Sequence, residues 1–146
     1  MGTRSAIVVK LEDGSYRGIY CHWDGYPSHH GPLLTEHYNT QESAEALVNL
    51  GFLSSLNARL RPNPGERHSY DNPAEGVTIA RLDMSNPDHT TPINAKRLGT
   101  ILKNIDWAYS YLFTDGEWTV NDGGDSRIEL SSFRTADGKW EDEPQG

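Results

Sequence analysis

Residues 5–21 read SAIVVKLEDGSYRGIYC, and the rhythm of this stretch decides the fold. SAIVVKL is apolar and β-branched, EDGS supplies turn chemistry, and YRGIYC resumes the apolar character at once, so the stretch predicts a β-hairpin. Side chains alternate along a strand, which puts Tyr16, Gly18 and Tyr20 on one face and Arg17, Ile19 and Cys21 on the other. A second hairpin is predicted near the other end of the chain. There WAYSYLF at 107–113 alternates, Thr114-Asp115-Gly116 turns, and EWTV at 117–120 pairs back. VTIARL at 77–82 and SRIELSSF at 126–133 predict further strands.

The segments between the hairpins read as helix or loop. PLLTEHY places Leu33, Leu34 and His37 at helical spacing, with Pro32 suited to a first turn. The next helix is better marked: Thr40 is the N-cap, Ala44, Leu47 and Val48 make an apolar stripe, and Gly51 ends it. Phe52, Leu53 and Leu56 are expected to pack beneath. Residues 57–76 carry three prolines and no periodicity, which predicts a long loop. Residues 93–105 carry Ile93, Leu98, Ile101, Leu102 and Ile105 in a mostly helical pattern weakened by Gly99. Together these segments predict an α+β fold: an antiparallel sheet built from the N-terminal and C-terminal β-hairpins, with two or three helices packed on it.

At 146 residues the chain is the size of one domain, expected over 1–140, with Glu141, Asp142 and Glu143 opening an acidic flexible tail at 141–146. A single cysteine, Cys21, rules out an internal disulfide framework, suits a reducing compartment and leaves open a cross-link between two copies. No apolar run approaches the length of a bilayer span, and MGTRSAIVV is too short an apolar start for a secretory signal, so a cytoplasmic protein with no membrane contact is expected. The net charge of −8 and the scattered basic residues argue against general DNA or RNA binding.

Residues 20–30, YCHWDGYPSHH, concentrate the chemistry: one cysteine, three histidines, an aspartate and three aromatics. As a metal centre the stretch lacks the spacing of a closed zinc site, which leaves an open site on His22, Asp24 and His37, that of a metal-dependent hydrolase, as the alternative. Cys21 and His22 are strand neighbours that point to opposite faces, so adjacency makes no nucleophilic dyad, and neither a GxSxG elbow nor a Walker loop is present. NDGGD carries Asp122 and Asp125 in a turn, where solvent exposure explains them. As a turn, the stretch needs only Asp24-Gly25 and Pro27. As a stacking surface it uses its residues best: Tyr20, Trp23 and Tyr26 offer rings for a nucleobase, His22 and Asp24 offer polar edges, and Arg4, Arg17 or Arg81 could meet phosphate. No cofactor is called for.

The string MGTRSAIVVKLEDGSYRGIYCHWDGYP, followed by LLTEHYNTQESAEALVNLGFLSSL and later by WAYSYLF and DGEW, resembles a group of small proteins carried by bacteriophages and prophages. The resemblance is close over residues 1–56 and loose over 107–120, and 57–106 lies outside it. It implies a phage accessory protein working in an infected bacterial cell against a host defence. One such class is the sponge, which sequesters a nucleotide-derived immune signal, usually in a pocket between subunits of a homo-oligomer. The ligand-binding set then expected is Arg4, Tyr20, His22, Trp23, Asp24, Tyr26 and Arg81. The alternative partner is a host defence protein bound directly, as an anti-CRISPR protein would bind it.

Overall fold

The computed structural model describes residues 3–69, 71–80, 91–123 and 127–144. The opening hairpin forms as its pattern predicts, from β1 (Ser5–Lys10) and β2 (Tyr16–Cys21), in a register running from Ser5 opposite Cys21 to Lys10 opposite Tyr16. The Asp13 carboxylate holds the loop by accepting the backbone N–H and the hydroxyl of Ser15 at 2.9 and 2.6 Å. The C-terminal hairpin pairs β6 (Tyr109–Thr114) with β7 (Glu117–Asn121). Its two linking residues, Asp115 and Gly116, have φ of 54° and 80°. Positive φ at both positions matches the twist of the flanking strands.

Among the described residues the architecture is α+β, with three α-helices and an eight-stranded sheet in the order β4 (Ile79–Ala80), β3 (Leu53–Ser55), β2, β1, β6, β7 and β8 (Ile128–Glu129), while β5 (Ile93–Ala95) pairs with β2. The sheet is mixed rather than purely antiparallel. β1 and β6 run parallel from Ser5 beside Tyr109 to Val9 beside Phe113, and β2 meets β3 (Leu53–Ser55) in parallel at Cys21 and Leu53. A parallel neighbour requires a long crossover, and the two helices between β2 and β3 supply one.

Helix α1 (Pro27–His37) begins five residues before the expected Pro32, which lies inside it. Pro27 takes the first position, where a missing N–H costs nothing. The Ser28 N–H is capped from afar, by the Asp142 carboxylate at 2.9 Å. Trp140 lies against Gly31 so closely that a Cβ there would come within 2.3 Å of its ring. Glu141 donates its N–H to the Phe133 carbonyl at 2.9 Å, so the fold's contacts extend through Asp142. Helix α2 (Gln41–Asn49) follows its pattern, capped reciprocally by Thr40 and Ser43 and burying Ala44, Leu47 and Val48.

Three expected spans come out differently. Residues 93–105 divide into β5 (Ile93–Ala95), α3 (Leu98–Lys103) and a connection, because the start of β2 leaves an open edge that Ile93–Ala95 can pair with. Asn94 reinforces that edge by accepting from the Arg17 guanidinium at 2.7 Å. The last predicted strand shrinks to β8 (Ile128–Glu129), after which a 3₁₀ turn, Leu130–Phe133, buries both of its end residues. VTIARL contributes β4 (Ile79–Ala80), and Arg81 and Leu82 lie outside the described residues. The described part of the expected loop, residues 57–69 and 71–76, has no helix or strand of its own and is tied by the Arg59–Glu66 ion pair and by the Asn57 amide on the Val77 carbonyl.

The two faces of the sheet are covered unequally. On one, α1, α2 and the C-terminal segment enclose a large core that includes Ile7, Ile19, Leu34, Leu47, Tyr111 and Phe113. On the other, among the described residues, α3 and the residues that follow it, Ile105 and Trp107, pack over Ala6, Val8, Leu112 and the rings of Tyr16 and Tyr20. Gly18 permits that approach, since a Cβ would sit 2.6 Å from a methyl of Ile101. Among the described residues no helix is long and apolar enough to cross a membrane.

Candidate ligand cleft

The segment after β2 continues along β3 for two residues: His22 N–H donates to Leu53 at 3.1 Å and Trp23 N–H to Ser54 at 2.9 Å. Asp24 then adopts φ of 56° and swings the chain back over β1. Gly25 donates to the Thr3 carbonyl at 2.8 Å and accepts from the Tyr111 hydroxyl at 2.6 Å. A Cβ on Gly25 would lie 2.6 Å from Ser5 Cβ and 2.8 Å from the Thr3 carbonyl, so the backbones can meet only at glycine.

This turn leaves Trp23 41% exposed; it and Ile128 are the large hydrophobic side chains exposed among the described residues. Trp23 borders an open cleft of about 570 Å³ whose other walls are Thr3, Arg4, His22, Asp106, Trp107 and Ala108. Three chain segments therefore meet at one end of the sheet: the entry to β1, the exit from β2 and the entry to β6. Ala108 N–H donates to the Arg4 carbonyl at 2.9 Å, which continues the β1–β6 ladder into the cleft. The Trp107 indole donates to the Leu102 carbonyl at 3.1 Å and so is fixed to the end of α3.

The polar groups of the cleft form a connected chain. Arg4 and Asp106 make an ion pair at the rim of the cleft. The Asp106 hydrogen bond raises the Arg4 pKa, and the electrostatic influence of Tyr20 adds to it. The Tyr20 hydroxyl lies 2.5 Å from His22 Nδ1, and the His22 ring meets Trp23 edge-on with centroids 4.5 Å apart. A guanidinium paired with a carboxylate keeps further N–H donors, and these can meet an acceptor in the cleft.

Of the residues singled out from sequence, the structure brings Arg4, Tyr20, His22 and Trp23 together. Asp24 and Tyr26 fall on the other side of the turn, where the Tyr26 hydroxyl donates to Asp24 at 3.2 Å and its ring packs edge-on to His29. Arg17 bonds Asn94 and Asn49 instead. Arg81 lies outside the described residues. His37 is exposed in the last turn of α1, and among the described residues no three His, Cys, Asp or Glu side chains are grouped to hold a metal ion, so His22, Asp24 and His37 do not converge. Asp106 and Trp107 were not singled out. Trp107 opens an alternating stretch that reads as strand core, and its role depends on where β1 and β2 end.

Behind the turn lie two buried groups. Cys21 has no exposure, and burial pushes its thiol up to about 12, so the native fold closes the cross-link that the sequence leaves open. His30 is likewise buried, 3.1 Å from the Ser5 hydroxyl through Nε2, and it packs on the Tyr111 ring at 5.1 Å. Burial holds its pKa well below the usual histidine value, with His29 adding to the effect.

No family model, curated protein or solved structure matches this chain.

Proposed function

We propose that this chain is a non-enzymatic binding protein of phage origin that captures a small nucleotide-like ligand, acting as a sponge for a nucleotide-derived immune signal. The observation that carries the reading is Trp23, a large ring left exposed at the rim of a cleft with a second indole in its wall. Folding normally buries such a ring, and a nucleobase stacked on it would recover about 1–3 kcal/mol. Arg4, paired with Asp106, supplies a planar donor for a polar or anionic group of the ligand. The cleft is open on one side, which suits completion by a second copy in a homo-oligomer.

Isothermal titration against cyclic dinucleotides and ADP-ribose isomers tests the reading. Heat is expected with at least one of them, and Trp23→Ala is expected to remove it. No heat from any ligand with clean oligomeric protein overturns it. The second reading, a protein that binds and inhibits a host defence complex, draws support from the net charge of −8, which fits a basic groove. A pull-down from host lysate separates the two, since a sponge recovers no stoichiometric partner.

A further inference from the structure

Arg127 is half-buried, and its guanidinium grips one residue, with NH1 donating to the Ser110 carbonyl at 3.0 Å and NH2 to the Ser110 hydroxyl at 2.6 Å. Ser110 itself is fully buried. Among the described residues the ion pairs are Arg4–Asp106 and Arg59–Glu66, and Arg127 has no carboxylate beside it. Burial alone pushes its pKa down to about 10. A cation withdrawn from water is ordinarily paired, because unpaired burial is costly. Two of its five N–H groups go to Ser110, which leaves donors for an anion.

The position of this arginine gives the vacancy in its charge balance a meaning. Ser110 lies beside Ala6 in the β1–β6 ladder, and Ala6 lies opposite Tyr20, so all three share the α3 side of the sheet. Ala108, a wall of the Trp23 cleft, precedes Ser110 by two residues at the entry to β6. One strand repeat, about 6.6 Å, therefore separates the cleft from the residue that Arg127 grips.

We propose that Arg127, held in place by Ser110, forms an anion subsite that takes the phosphate of a nucleoside phosphate whose base stacks at Trp23. The inference rests on the ligand reading above and deepens it: the base lies in the cleft, Arg4 meets its sugar or a second polar group, and Arg127 meets the phosphate as a planar fork.

The test compares adenosine with AMP, followed by quenching of tryptophan fluorescence, and inorganic phosphate, followed by ³¹P line broadening, on the wild type, Arg127→Gln and Arg127→Lys. Wild type is expected to bind AMP at least about tenfold more tightly than adenosine. Arg127→Gln should abolish that preference and leave adenosine binding unchanged, and Arg127→Lys, which keeps the charge and loses the fork, should retain part of it. AMP binding no tighter than adenosine to the wild type, or an equal preference in Arg127→Gln, overturns the subsite while leaving the stacking cleft intact. If neither nucleoside nor nucleotide quenches, the stacking reading fails. The phosphate arm then decides the subsite alone: broadening present in wild type and absent in Arg127→Gln supports it, and identical lines overturn it.

Discussion

The two faces of the sheet differ in how they are closed, and the difference separates stability from function in this molecule. One face is covered by two helices and the C-terminal segment, and its core is continuous from Leu34 to Phe133. Among the described residues the other is covered by the six residues of α3 and by Ile105 and Trp107 after it, and beside Trp107 the sheet opens into the Trp23 cleft. A layer that packs densely excludes ligands, whereas a short one leaves apolar surface at its margin. The same strands thus carry a dense core on one side and a candidate binding surface on the other.

The sharpest way to break this comparison is to cut equal volumes from each side. Leu47→Ala, in the enclosed core, should cost about 3–4 kcal/mol, and Ile101→Ala, under α3, about 2 kcal/mol, because a six-residue helix can settle into the gap. Urea unfolding of both variants checks this, and equal losses would show that the α3 side packs as rigidly as the other.

Acid should act through the enclosed face. His30 is neutral when folded, with its pKa held well below 6.5, so the unfolded chain binds more protons between those two values. Its contribution is complete above about pH 6.5 and is lost as the pH falls below that, by up to about 1.4 kcal/mol per pH unit. Urea midpoints of the wild type and His30→Gln across this range should diverge in slope, and parallel slopes would remove His30 from the account.

The helices themselves offer a smaller contrast. α2 carries a reciprocal side-chain cap at Thr40 and Ser43, while Arg97 caps α3 with its backbone only. Thr40→Ala should therefore cost about 1 kcal/mol and Arg97→Ala close to nothing by thermal melting. The stability effect of Trp23→Ala is expected to be small as well, within about 0.5 kcal/mol, because the ring stands at the surface. A large loss would mean that Trp23 seals the fold rather than borders a cleft.

Much of this fold is legible in the chain. The hairpins follow from residue alternation around Glu12-Asp13-Gly14-Ser15 and Asp115-Gly116, and α2 follows from Thr40, its stripe and Gly51, because turn and cap chemistry acts over three or four residues. Half of the cleft is legible too, since Arg4, Tyr20, His22 and Trp23 flank strands whose alternation is plain.

What tertiary structure alone decided depends on partners distant in sequence. The start of α1 depends on Asp142, 114 residues away from Ser28, and the parallel match of β1 with β6 brings Asp106 and Trp107 beside Arg4. Ile93–Ala95 became a strand because β2 had an edge to pair with, although the local pattern favoured a helix. Sequence determined the local elements, whose energies are set within a turn or a strand repeat. The cleft was decided by strand order and by the short reach of α3, which are properties of the packed whole.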